Sequence, residues 1–205
     1  MAVADLPEQH APAWAQATRH PFLAAVRDGT LPEAAFRSWL AQDYCFVADL
    51  LAFQAGLLAR APRYAQQPLA AGASALVDEL TWFEQQAGTR GLNIRAEPLP
   101  ATLAYRRLLD RLAAEDFPVA LAALWTIERA YLDAWSFAAP GAGPYREFVA
   151  HWTVPEFAGY VAALASAADQ AAGLASGTDV DDAFLAVAAA EADFWQMAWQ
   201  PDDAP

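Results

Sequence analysis

Long stretches of this chain place an apolar side chain at every third or fourth residue. Nowhere does it sustain the every-second-residue alternation of a half-buried strand. The clearest stripe is Phe36, Leu40, Tyr44, Val47 and Leu51. This spacing predicts a helix from about Pro32 to Leu58, with Pro32 in its first turn, Glu33 near its positive end and Ala61-Pro62 as the stop. The same pattern predicts helices over about Ala65–Ala87, Ala101–Glu115, Pro118–Phe137, Tyr145–Trp152 and Pro155–Leu174, and a last one ending near Trp199. Asp179 to Asp182 is expected to cap that last helix. Pro140-Gly141-Ala142-Gly143-Pro144 and Ala175-Ser176-Gly177-Thr178 are expected to be loops. There is no internal repeat and no linker. The expected architecture is therefore all-α, a single-domain helical bundle over residues 1–205 with its core at about 17–198.

Composition narrows the function. Aromatic residues make up 12% of the chain and include eight Trp, enough buriable surface to argue against disorder. The net charge of -13 comes from 25 acidic residues against 12 basic ones, every one an Arg. Such a chain lacks the basic footprint that nucleic acid or an anionic membrane would require. Cys45 is the single cysteine, which excludes an intrachain disulfide and a structural zinc site built on cysteines. No signal peptide and no apolar run of transmembrane length is visible, so a soluble cytoplasmic protein is expected.

Three carboxylates stand out because each sits among aromatic residues on an apolar helix. Asp43 shares a helix face with Trp39, Phe46 and Val47. Glu128 lies on one face with Tyr131 and Trp135, and Glu191 beside Phe194 and Trp195. An internal salt bridge would explain each one, and so would a ligand. Converging on one pocket, the three would have raised pKa values and could move protons near neutral pH. Aromatic walls would stack a flat heteroaromatic substrate. Histidine offers less. The positions three before His10, His20 and His151 are Pro7, Ala17 and Phe148, so the Glu-x-x-His pairs of a di-iron bundle are missing. His20, just before Pro21, is read as a helix end or cap rather than a haem ligand, and Glu147 with His151 as a surface contact. Cys45 has Asp43 and Asp49 nearby and no His or Lys, which suits a buried structural thiol better than a nucleophile.

The segments Ala17-Thr18-Arg19-His20-Pro21-Phe22, Arg27-Asp28-Gly29-Thr30 and Phe36 to Tyr44, together with Glu191-Ala192-Asp193-Phe194-Trp195-Gln196-Met197, resemble the TenA/thiaminase II family in order and spacing. The resemblance implies a haem-oxygenase-like helical fold and action on the pyrimidine half of thiamin and its breakdown products. It places the pyrimidine-binding Asp on Asp43 and the catalytic Glu on Glu191. It places pocket aromatics on Tyr105, Tyr131 and Trp152, and it puts Phe46 where many members have a tyrosine. The cysteine nucleophile of typical members falls on Ile127. Trp125-Thr126-Ile127-Glu128-Arg129-Ala130-Tyr131 and Asp78-Glu79-Leu80-Thr81-Trp82-Phe83 are instead similar to a cysteine-lacking TenA-E branch of aminopyrimidine-salvage hydrolases. Asp43, Glu128 and Glu191 are then the expected catalytic residues, with either glutamate as base or acid. The expected substrate is an amino- or formylamino-methylpyrimidine, with no cofactor and no metal. A homo-oligomer, dimer or tetramer, is expected from relatives on this fold. The rival readings are a thiaminase acting on thiamin, a cofactorless oxidase of the same fold, and a non-catalytic pyrimidine-binding or regulatory protein.

Overall fold

The computed structural model describes residues 2–172 and 177–200. Ten α-helices lie among them: α1 Leu6–Gln9, α2 Ala11–Thr18, α3 Pro21–Asp28, α4 Glu33–Ala59, α5 Arg63–Thr89, α6 Pro100–Ala114, α7 Phe117–Phe137, α8 Arg146–Trp152, α9 Pro155–Ala172 and α10 Gly177–Trp199. No strand occurs among the described residues. The all-α bundle read from the periodicity is thus the observed fold, with helix ends shifted by a few residues.

The differences have local causes. Pro32 is the N-cap of α4 rather than part of its first turn. Gly143–Tyr145 is a 3-10 turn that delays α8 to Arg146. The helix α10 begins at Gly177, so Asp179 lies in its first turn, and Asp181, expected near the cap, instead bonds the His10 ring at 3.2 Å. Gly177 and Thr178 are therefore helical rather than loop; Gly173, Leu174, Ala175 and Ser176 lie outside the described residues. Helices α1 to α3 escaped the sequence pattern because they are too short to show a period. They are held by tertiary contacts instead, such as Trp14 stacked on Phe184 at 5.1 Å and bonded to Asp133 at 3.1 Å.

Helix α7 is the spine of the bundle. It is buried without a break from Pro118 to Glu128, as its near-continuous apolar sequence requires. It packs against α9, α10, α2 and α4. Trp39 on α4 anchors an aromatic cluster that holds Phe36, Phe83, Trp135, Phe148 and Trp152 within 6.0 Å of its ring. Phe36, Leu40 and Val47 of the α4 stripe are buried; Tyr44 and Leu51 lie at its edge, where the Tyr44 hydroxyl donates to Glu84. No helix of the described residues is long and apolar enough to cross a membrane.

One glycine brings two helices onto the site. At Gly72 of α5, a Cβ would sit 2.2 Å from both Gln54 Nε2 and the Tyr160 hydroxyl. Only hydrogen fits there, so α5 approaches α4 and α9 closely. Gly88, near the end of the same helix, has nothing within 4 Å of the same position. Gly72→Ala is therefore expected to lose about 1–3 kcal/mol of unfolding free energy. Gly88→Ala should be neutral or gain up to about 1 kcal/mol. Urea titrations of the two variants measure the contrast.

Candidate active site

Four helices each bring one carboxyl group into the interior: Asp43 from α4, Glu79 from α5, Glu128 from α7 and Glu191 from α10. Asp43, Glu128 and Glu191 are buried, and Glu79 keeps partial exposure. Among the described residues none of the four has an ion-pair partner. Each instead accepts a hydrogen bond from an aromatic donor on another helix. The Tyr131 hydroxyl donates to Asp43 Oδ2. Trp152 Nε1 donates to Glu79 Oε1 at 2.9 Å and the Tyr105 hydroxyl to Glu191 Oε1 at 2.6 Å, while the one Tyr160 proton is shared between Glu128 Oε1 at 3.4 Å and Gln54 Oε1 at 3.3 Å. The salt bridge offered as an alternative for Glu128 does not form, because Arg129 turns to Asp133 at 2.9 Å.

Burial without cations makes these groups weak acids. Burial pushes Glu128 up to about 8, helped by the charges of Glu79 and Glu191 and opposed by the Tyr160 bond. Glu79 and Glu191 rise to about 7, again through burial and against the Trp152 and Tyr105 bonds. Asp43 is raised well above the ordinary carboxylate range by burial, with Tyr131 opposing and Glu79 and Glu191 adding repulsion. Groups poised like this can accept or donate protons near neutral pH.

A narrow cavity of about 20 Å³, room for about one water molecule, opens beside Asp43, Glu79 and Glu128, lined by Asp43, Phe46, Val47, Leu50, Leu76, Glu79, Ile127, Glu128, Tyr131, Trp152 and Phe157. A pyrimidine ring is larger than that space, so its entry requires the walls to part. Asp43 Oδ1 is buried without a hydrogen-bond partner, a cost that a ligand's donor would remove. Of the residues singled out in the sequence, Asp43, Phe46, Glu128, Tyr131 and Trp152 share the wall. Glu191 and Tyr105 are not on it. They lie beside Phe46, whose ring is 4.5 Å from that of Tyr105.

Ile127 supplies an apolar patch of the wall. Cys45 does not reach the cavity: its thiol donates to the Ala96 carbonyl at 3.7 Å, is only half-buried, and is pushed up chiefly by burial and by Asp49. His20 caps α3 by accepting from the Phe22 amide at 3.2 Å. His151 stacks on Trp82 at 4.0 Å, while its expected partner Glu147 pairs with Arg90.

The sequence reading passed over Glu79, Tyr160 and Gln54. Glu79 has Leu76 and Phe83 on its helix face, the same signal that exposed Asp43, but adjacent Asp78 and nearby Glu84 make it look solvated. Gln54 is fully buried and bonds both the Leu69 carbonyl, at 2.8 Å, and Tyr160, at 3.3 Å.

The raised carboxyls set a pH dependence of stability. Unfolded, Glu128 titrates near 4.5, and folded near 8. Between those values the folded chain holds more protons, so stability falls as pH rises from about 4.5 to about 8. Denaturation from pH 5 to pH 8 should show this decline, up to about 1.4 kcal/mol per pH unit for one such group. Glu128→Gln should remove its share of the slope and leave the part due to Asp43, Glu79 and Glu191.

Comparison with known proteins agrees with this fold. A probable bifunctional TenA-E protein from Glycine max is 30% identical over 197 residues, spanning 89% of this chain and 86% of that one. A solved TenA homologue from Pyrococcus furiosus superposes with a TM-score of 0.91 at 28% identity, covering 97% of this chain and 100% of its own. A putative TenA-like thiaminase from Sulfolobus solfataricus shares the fold at a TM-score of 0.87 and 20% identity, covering 99% of this chain and 98% of its own. These TenA structures have the all-helical haem-oxygenase-like fold. Residues 8–201 match the profile of the TENA/THI-4/PQQC family, and the chain belongs to that family.

Proposed function

We propose that the protein is a thiamin-salvage hydrolase that removes the amino or formylamino group from the arm of an aminopyrimidine. The observation that carries this reading is the cavity wall itself. It presents carboxyl groups and stacking aromatics, with Ile127 rather than a thiol beside Glu128. A cavity without a nucleophilic side chain but with a proton-accepting carboxylate suits direct attack by water. The naming of the Glycine max relative as a TenA-E protein, and of the Sulfolobus solfataricus neighbour as a TenA-like thiaminase, supports the same class of chemistry.

Asp43 anchors the ring: its unpartnered Oδ1 accepts from the exocyclic amine or a protonated ring nitrogen, while Tyr131 fixes Oδ2. Tyr131, Trp152 and Phe46 bound the flat ring. Glu128, the catalytic glutamate on the wall, takes a proton from the attacking water. Glu191 sits off the wall and acts as a proton reservoir bonded to Tyr105, its charge reaching both Asp43 and Glu128.

Steady-state hydrolysis of the aminomethyl- and formylaminomethyl-pyrimidines tests this directly. Glu128→Gln is expected to lose about 10²–10⁴-fold in kcat, the usual worth of a general base. Asp43→Asn should weaken substrate binding, and Glu191→Gln should slow turnover. The base works deprotonated, so kcat/KM should climb as pH rises toward about 8. That limb should vanish in Glu128→Gln. Glu128 and Glu191 variants with normal turnover would sink the assignment. Release of thiazole from thiamin would revive a thiaminase, and pyrimidine binding without product would favour a binding protein.

A further inference from the structure

Glu79 has no part in the reaction argued above, yet it shares the cavity wall with Asp43 and Glu128. The wall holds three carboxyl groups and no Arg, Lys or His. A cavity of that kind attracts a cation. Two further observations point to a ligand there. Asp43 Oδ1 is fully buried on this wall and has no hydrogen-bond partner. Trp152 engages Glu79 through Oε1, leaving Oε2 for another donor. Glu79 is also the least buried of the three lining acidic residues, intermediate where Asp43 is 0% and Glu128 6% exposed.

The amine on the arm of an aminomethylpyrimidine is aliphatic and carries a proton at neutral pH, as a lysine amine does. We propose that Glu79 is the specificity-determining residue for this ammonium: held by Trp152, its carboxylate receives the charged arm while Asp43 receives the ring, so the site prefers a cationic arm to a neutral one. The proposal rests on the aminopyrimidine reading above and adds the charge state of the substrate. Holding the arm as an ammonium also prepares the leaving group. Water oxygen bonds to the methylene carbon, and the C–N bond breaks with its electron pair staying on nitrogen. The water proton passes through Glu128 to the released ammonia. The net change is R–CH2–NH3+ plus H2O giving R–CH2–OH plus NH4+, which balances in atoms and charge. Glu79 forms no covalent bond.

Calorimetric titration with aminomethylpyrimidine and hydroxymethylpyrimidine, ligands that differ only in the arm, tests the proposal. The wild-type protein should bind the amine about tenfold more tightly, the difference between a charged and a neutral hydrogen bond. Glu79→Gln should abolish that preference and leave hydroxymethylpyrimidine affinity unchanged, whereas Glu79→Asp should retain it. Equal weakening of both ligands, an unchanged preference in Glu79→Gln, or no preference in the wild type would overturn the proposal. Glu79→Ala is a second neutral variant, read in the same way should the Gln variant fail to fold. Because the readout is binding, an inactive protein that still prefers the amine would sink the hydrolase reading but not the role of Glu79. Normal turnover without an arm preference would sink Glu79 alone. If neither ligand binds, both readings fall.

Discussion

Four acidic side chains placed in an apolar bundle, with no ion-pair partner among the described residues, set the terms for everything else in this structure. Ionised and unpaired, each would cost several kcal/mol in such surroundings. The fold meets that cost in two ways. Burial raises the carboxyls so that they are only partly ionised near neutral pH, and each has an aromatic hydroxyl or indole beside it. Those contacts run between helices: α4 to α7 through Asp43 and Tyr131, α7 to α9 through Glu128 and Tyr160, α10 to α6 through Glu191 and Tyr105, and α5 to α8 through Glu79 and Trp152. The groups that would do chemistry are thus also the polar ties between the helices.

Packing then decides what those groups face. The α7 spine presents Ile127, Glu128 and Tyr131 to one cavity, and Gly72 lets α5 come near enough for Tyr160 and Gln54 to meet over its backbone. Phe46 separates the wall from the Tyr105–Glu191 pair at contact distance. This division gives the two glutamates different stations, one beside the ligand space and one set back from it, although their sequence surroundings are alike. Ile127, where the family resemblance implies a cysteine, is a branched apolar side chain on the wall and offers no lone pair for attack.

The legible part of the site was the part that broke a pattern. Asp43, Glu128 and Glu191 interrupt apolar stripes, and an unexplained carboxylate among tryptophans is a local anomaly that needs no tertiary information. Glu79 was equally unusual on its own helix face, but its acidic neighbours disguised it as solvated surface. Tyr160 lies in an alanine-rich helix with nothing nearby to mark it. The bonded partners of the carboxyls are 32 to 88 residues distant in sequence, so no window along the chain could pair them.

The sequence by itself determined the helical class, the approximate helix ends and three of the carboxylates, because helix periodicity and hydrophobic burial act over a few residues. Its likeness to a known family supplied the expectation of what those carboxylates would bind. The tertiary structure alone decided that each carboxyl is tied to an aromatic donor instead of an arginine, that Glu128 reaches the cavity and Glu191 does not, and that Glu79 belongs to the wall. Those outcomes depend on distances between residues far apart in the chain, which only the packing of the helices sets.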